Sequence, residues 1–383
     1  GQGSDYLPYE IEQRADIIIL HGEDPAKSGA ATQESTGEYL TFLSSRISSC
    51  LAQTPVNWRE LAPLWGEASY FKDTGKCQFN DYITLDQLIT EDFKDFIYSK
   101  YDELFFQTYH SGPVLVSQVM PYLASKNYDK LALLCFDGMG FQEWCLIKNY
   151  LIQNGIEGFQ ESAIYTLIPT LTWASRTALF SGQSKVPGSS SVNEKKAFTE
   201  QIAGNWPQGN SKKTGWFVNI DQRWHAEYLE YECLGLVLNV VDEHAHSAIL
   251  MTGSKQRMQA ALGQFLQDTE IAAIFSHLLE ENYRIFISSD HGTVWCKGNG
   301  YRSEKYLAED RARRSLMFSN ALLAQDFGQG KNVQLYANPS MLQDRMLVLP
   351  QGRDMFANVG EMAISHGGIH IEEVLIPFVE VIR

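Results

Sequence analysis

Seven residues able to ligate a metal or attack phosphorus recur along this chain, most of them just after short apolar runs. In order they are Asp137 in LLCFDGMG, Thr172 in PTLTW, Asp242 and His246 in NVVDEHAH, Asp290 and His291 in FISSDHGT, and His366 in ISHGGIH. Three carboxylates and three imidazoles around one hydroxyl match a two-metal centre with a hydroxyl nucleophile, the arrangement used to cut phosphate esters. These oxygen and nitrogen donors suit zinc or manganese, with no thiolate needed.

Each motif has its own physical logic. Adjacent residues on a regular strand point to opposite faces, so Asp290 and His291 can both approach one ion only where the strand breaks, and Gly292 permits a break. Asp242 and His246 are spaced i and i+4; if a helical turn begins at the strand end they share a face, with His244 as a rival ligand. A carboxylate such as Asp137, at the end of a buried run, is costly unless paired or bound to a cation; it could also cap the helix that starts near Phe141. Thr172 precedes a helical pattern, whose N-terminus offers free N–H groups to a phosphate. Its hydroxyl needs a base or a metal to become a nucleophile, and Thr170 and Ser175 compete for that role. Gly367 and Gly368 let the backbone bend close to a site beside His366.

The elements that must position these residues fall into two textures. Residues 1–127 read as a helical region or cap: a possible strand ADIIIL ending beside His21, then helical spacing over 38–53, 58–71, 85–106 and 114–125. From 128 to 383 strand and helix patterns alternate. Strands are expected at 130–137, 162–169, 215–220, 234–242, 284–290, 333–337 and 373–382, and helices at 141–153, 173–180 and 254–282. That alternation predicts an α/β fold with a doubly wound, mostly parallel sheet between helices, whose chemistry lies at the carboxyl ends of the strands. Segments 188–196 and 204–215 read as surface loops.

Bulk properties narrow the function. The 383 residues carry a net charge of −15 and are 44% hydrophobic, so a large core is available and bulk attraction to nucleic acid or an anionic membrane is not expected. A local basic patch around Arg302, Lys305, Arg311, Arg313 and Arg314 reads more simply as a solvated helix laced with Glu304, Glu309 and Asp310. Six cysteines without a CxxC spacing demand no disulfide framework, which fits a reducing cytoplasm. No run approaches the roughly 18–20 apolar residues that span a bilayer, and no signal peptide is visible. The first residue is Gly rather than Met, as in a piece of a longer protein.

The order D-G, P-T-x-T, D-x-x-x-H, D-H-G and H-G-G resembles the alkaline phosphatase superfamily, especially its nucleotide pyrophosphatase/phosphodiesterase branch. More closely, FDGMGFQEW, PTLTWASRTALFSG, SSDHG and HGGIHIEEVLIPFVEV resemble the PglZ domain over residues 128–383. The resemblance implies Thr172 as nucleophile, one divalent ion on Asp137, Thr172, Asp290 and His291, and a second on Asp242, His246 and His366, zinc being the expected metal and manganese the alternative. It implies a metal-dependent phosphodiesterase acting on nucleotides or oligonucleotides, in phage defence of the BREX type and beside other defence proteins. A phosphomonoesterase and a catalytically silent metal- or nucleotide-binding scaffold are the rival readings. One departure stands out: the phosphodiesterases carry Pro-Asn shortly after the nucleophile, where this chain has Ala174-Ser175. Their phosphate contact must come from elsewhere, with Ser175 and Arg176 as candidates. Thr172 argues against a sulfatase, whose nucleophile derives from Cys or Ser.

Overall fold

The computed structural model describes residues 31–74, 79–185, 193–206, 211–218, 220–247, 255–302 and 310–382. The ADIIIL segment with His21, Cys77 and the stretch holding Glu304, Lys305 and Glu309 lie outside them.

A six-stranded sheet forms the centre. Its strands are β1 (Leu131–Phe136), β2 (Gly158–Tyr165), β3 (Thr214–Val218), β4 (Cys233–Leu238), β5 (Arg284–Ser288) and the late strand Leu375–Ile382, β13. Their spatial order is β2-β13-β5-β1-β4-β3. β5, β1, β4 and β3 run parallel, with Leu131 opposite both Cys233 and Arg284. Only β13 runs antiparallel, between β5 and β2. β1 and β4 are buried along their whole length, as unbroken apolar runs must be when both faces of a parallel sheet are covered. One helical layer contains Trp58–Asp73, Phe141–Gln153 and Lys255–Gln267; another contains Val119–Lys126, Thr172–Ser181 and Glu194–Asn205.

Two further sheets extend the molecule. A four-stranded antiparallel sheet has the order β7 (Asp310–Arg311), β8 (Leu316–Phe318), β10 (Met346–Pro350), β9 (Val333–Tyr336). A three-stranded sheet joins β11 (Asp354–Met355), β6 (Val294–Gly298) and β12 (Met362–Ser365). The expected strand at 333–337 is therefore not part of the central sheet. It packs in a small satellite core around Phe318, Phe327 and Val348, and its short apolar run gives no sign of which sheet it joins.

Several boundaries shift for identifiable reasons. The pattern over 254–282 is two helices, Lys255–Gln267 and Ile271–Glu280; the Tyr150 hydroxyl accepts from the Ala272 N–H and so satisfies a backbone donor at the second start. The helix predicted over 85–106 ends at Ser99 and continues as a 3-10 turn, Tyr101–Phe106. The basic patch is not a solvated helix where it is described: Asp310–Arg311 is strand, and Arg314 is buried. The N-terminal helices share one hydrophobic core with the sheet, Leu61, Leu64 and Trp65 belonging to the same cluster as Leu131–Phe136. Packing is thus continuous across residue 127. No described helix is long and apolar enough to cross a membrane.

Candidate metal centre

Because β5, β1 and β4 are neighbours, the residues that follow them converge. Asp290 lies two residues beyond β5, Asp137 directly beyond β1, and Asp242 in the helix Val240–Ser247 just after β4. The Asp242 N–H donates to the Asp137 carbonyl at 3.2 Å. Between them Gly138 adopts φ +80, a left-handed conformation that costs glycine little. Asp137 does not cap the helix that follows. Gly140 is its N-cap, with Glu143 Oε2 accepting from the Gly140 N–H at 3.1 Å.

Gly292 is required for close approach. A Cβ there would lie 2.0 Å from the Glu372 carbonyl oxygen. The irregular turn it allows sets Asp290 and His291 side by side, both fully buried. Asp290 Oδ1 accepts from the His291 N–H at 3.0 Å and from the Gly138 N–H at 3.2 Å. His291 Nδ1 faces the Gly292 carbonyl at 3.1 Å, which places the proton on Nδ1 and leaves Nε2 as acceptor. That Nε2 lies 2.9 Å from Thr172 Oγ1, so the threonine hydroxyl donates to it. Thr172 is the first residue of its helix, with Leu171 as N-cap.

His366 arrives by sheet register. β12 pairs antiparallel with β6, Ser365 opposite Val294, which carries the next residue back over the Asp290-His291 turn. The rings of His366 and His291 stack at 3.8 Å and 10°. His366 Nδ1 donates to the Thr170 carbonyl at 2.8 Å, leaving its Nε2 lone pair for a ligand. Burial and the neighbouring His291 push its pKa down to about 4, so the imidazole is neutral and ligand-competent at neutral pH.

The centre carries excess negative charge. Asp137, Asp290 and His291 each bring one ligating atom within 4.8 Å of the others, and His291 Nε2 lies 3.6 Å from Asp137 Oδ1 and 3.8 Å from Asp290 Oδ2. Among the described residues neither of those buried oxygens accepts a hydrogen bond. Burial, then Asp290 and Asp242, raise the Asp137 pKa well above the usual carboxylate value. Arg176 offsets part of this charge: its Nη1 donates to Asp137 Oδ2 at 2.9 Å and its Nε to Glu194 Oε1 at 2.9 Å. Buried carboxylates with unused lone pairs, beside imidazoles whose Nε2 carries no proton, are the donor set a divalent cation takes, and the residues present fit one.

Asp137, Thr172, Asp290, His291 and His366 thus meet in one place. Asp242 stands at its edge, close enough to perturb both Asp137 and His366. His246 lies in the same helix as Asp242, its side chain outside the described set. The rival His244 is turned away, Nδ1 on the Val240 carbonyl and ring against Phe265. Thr170 is fully buried, its hydroxyl engaged with Glu373 and the Gly367 N–H. Ser175 is also fully buried and shares a hydrogen bond with Thr166 at 2.6 Å. Glu194 and Glu373 escape the sequence reading: the first lies inside segment 188–196, which reads as loop but from Glu194 onward is helix, and the second has its partner Arg314 in a segment that reads as surface.

The family model described as "BREX system PglZ alkaline phosphatase-like domain" matches residues 114–381. No curated protein sequence matches the chain. Among solved structures, murine ectonucleotide pyrophosphatase/phosphodiesterase 5 is similar at 14% identity and TM-score 0.47, covering 65% of this chain and 87% of that one. The human counterpart gives 13% and 0.45, with 65% and 87% coverage. Phosphonoacetate hydrolase from Sinorhizobium meliloti gives 10% and 0.39, with 66% and 89% coverage.

Proposed function

The chain belongs to the family of PglZ alkaline phosphatase-like domains, and from that premise we propose that it is a metal-dependent phosphodiesterase acting on nucleotides or oligonucleotides in phage defence, with Thr172 as nucleophile. The observation that carries this reading is the Thr172 Oγ1–His291 Nε2 contact at 2.9 Å, beside carboxylate oxygens that accept no hydrogen bond among the described residues. Two divalent cations, zinc or manganese, would be held by Asp137, Asp290 and His291 with Thr172, and by Asp242, His246 and His366. When bound, they would lower the pKa of the hydroxyl and neutralise charge on the phosphate.

The chain's own residues supply the rest. Gly292 and Ser289 hold the Asp290-His291 turn. Thr172 at a helix N-terminus presents its hydroxyl where backbone N–H groups favour an anion. Attack by Thr172 Oγ on phosphorus expels one alcohol, which leaves with the threonine proton, and gives a threonyl phosphodiester that still carries the second ester; water then breaks the P–Oγ bond, returning the hydroxyl and releasing the phosphomonoester. Ser175 being buried, the phosphate contact expected near it falls to Arg176. Arg176 is already committed to Asp137 and Glu194, so its charge is largely offset, which supports a singly charged diester over a dianionic monoester.

The test is hydrolysis of bis(p-nitrophenyl) phosphate and p-nitrophenyl phosphate by zinc- or manganese-loaded protein. The diester is expected to turn over faster, in a chelator-sensitive reaction that Thr172→Ala abolishes. Turnover unchanged in Thr172→Ala would exclude the covalent route, and no turnover by metal-loaded wild type would favour a silent binding module.

A further inference from the structure

The segment before Thr172, the Asp290-His291 turn and the loop after His366 are all bonded to one residue outside the proposed ligand set, Glu373. Glu373 is fully buried, as is its partner Arg314. Arg314 Nη2 and Nε donate to Glu373 Oε1 at 2.7 and 3.0 Å, and Arg314 is anchored in turn on the Gly352 and Asp354 carbonyls. The carboxylate then accepts from three other places: the Gly368 N–H at 2.8 Å, the His370 N–H at 2.9 Å and Thr170 Oγ1 at 3.1 Å. Its own carbonyl accepts from the Gly292 N–H at 3.1 Å.

These contacts close a loop of bonds around the site. Thr170 Oγ1 accepts from the Gly367 N–H at 2.7 Å, and the Thr170 carbonyl accepts from His366 Nδ1 at 2.8 Å. Gly292, held by the Glu373 main chain, receives His291 Nδ1 on its carbonyl. A buried Arg–Glu pair alone is weak grounds for a role beyond structure. Here the carboxylate's remaining lone pairs are directed to the backbone beside His366 and to the hydroxyl two residues before Thr172.

We propose that Glu373, locked by Arg314 and acting through Thr170, is the positioning residue of the centre, fixing the nucleophile loop, the Asp290-His291 turn and the His366 loop in one mutual register. The proposal rests on the phosphodiesterase reading of the site. Residues that orient metal-binding groups from behind typically change metal affinity or activity by about 10–100-fold when removed.

The experiment compares the full chain with Thr170→Val, Thr170→Ser and Glu373→Gln. Zinc binding is measured by calorimetry on chelator-stripped protein, and kcat and KM with bis(p-nitrophenyl) phosphate. Thr170→Val keeps the side-chain shape and removes the bridging hydroxyl. It is expected to weaken one zinc equivalent and lower kcat by about 10–100-fold, with KM nearly unchanged. Thr170→Ser is expected to restore both. Glu373→Gln is expected to show the same pattern with a lower melting temperature. Wild-type zinc affinity and kcat in Thr170→Val would overturn the positioning role, as would equal losses in Thr170→Val and Thr170→Ser. A wild type that binds no zinc would instead remove the underlying reading of the site, so the two failures are read from different arms.

Discussion

Two clusters in this molecule each join two carboxylates to one imidazole, and only one has the electrostatics of a metal site. Asp137, Asp290 and His291 bring ligating atoms within 4.8 Å, and so do Asp86, His370 and Glu372. In the second cluster a cation is already present. Arg353 Nη2 donates to Glu372 Oε1 at 2.6 Å and its Nε to Asp86 Oδ2 at 2.9 Å. Trp65 Nε1 donates to Glu372 Oε1 at 3.0 Å, and Thr90 Oγ1 lies 3.2 Å from His370 Nε2. In the first, Arg176 covers one oxygen of Asp137, while Asp137 Oδ1 and Asp290 Oδ2 remain without a hydrogen bond among the described residues. Unsatisfied buried carboxylate oxygens, rather than composition, separate a cluster suited to a cation from one that ties helices to the sheet.

The largest contrast is Asp290→Asn against Asp86→Asn: the first is expected to lower diester turnover by more than about a thousandfold, the second to leave it within about threefold while lowering stability. Comparable activity losses in both would erase the distinction. Next in size, Arg353→Met should destabilise the fold by about 3–5 kcal/mol, because it leaves Asp86 and Glu372 uncompensated; urea unfolding of stripped protein measures this. A loss below about 1 kcal/mol would mean that the Arg353 network is not what secures this junction.

Acid pH sharpens the contrast further. Burial and the neighbouring Arg353 push the His370 pKa down to about 4. The folded protein therefore takes up this proton less readily than the unfolded chain, so stability is full above about pH 6.5 and falls as the pH drops toward 4. Burial works to raise the Glu372 carboxyl, but Arg353 and His370 outweigh it and hold it below the usual range, which adds a loss below about pH 4.5. His370 alone should contribute roughly 2–3 kcal/mol to the difference in unfolding free energy between pH 7 and pH 4.5, read as the loss in wild type minus the loss in His370→Gln, and equal losses in the two proteins would contradict the description of this cluster. The smallest effect is Thr90→Val, expected to cost about 1 kcal/mol in thermal denaturation, with turnover unchanged.

The sequence made the strand-end residues legible because each follows an apolar run: Asp137 after LALLCF, Asp290 after RIFIS, and Asp242 in a helix begun just past LGLVL. The parallel centre of the sheet followed from the same runs. What stayed hidden depended on long-range pairing. Arg314 stands among other basic residues and reads as surface, because nothing local reveals that Glu373 completes it. His366 is recognisable as a candidate, but its stacking on His291 needs the β6–β12 register. Ser175 has the right type and spacing for a phosphate contact, yet Thr166 and burial hold its hydroxyl inside.

The most direct test of this distinction is anomalous diffraction from crystals grown with zinc or manganese, recorded at the metal edge. Strong peaks are expected between Asp137, Asp290 and His291 and beside His366, and none among Asp86, His370 and Glu372. A peak at the Arg353 cluster, or an empty centre beside Thr172, would contradict it.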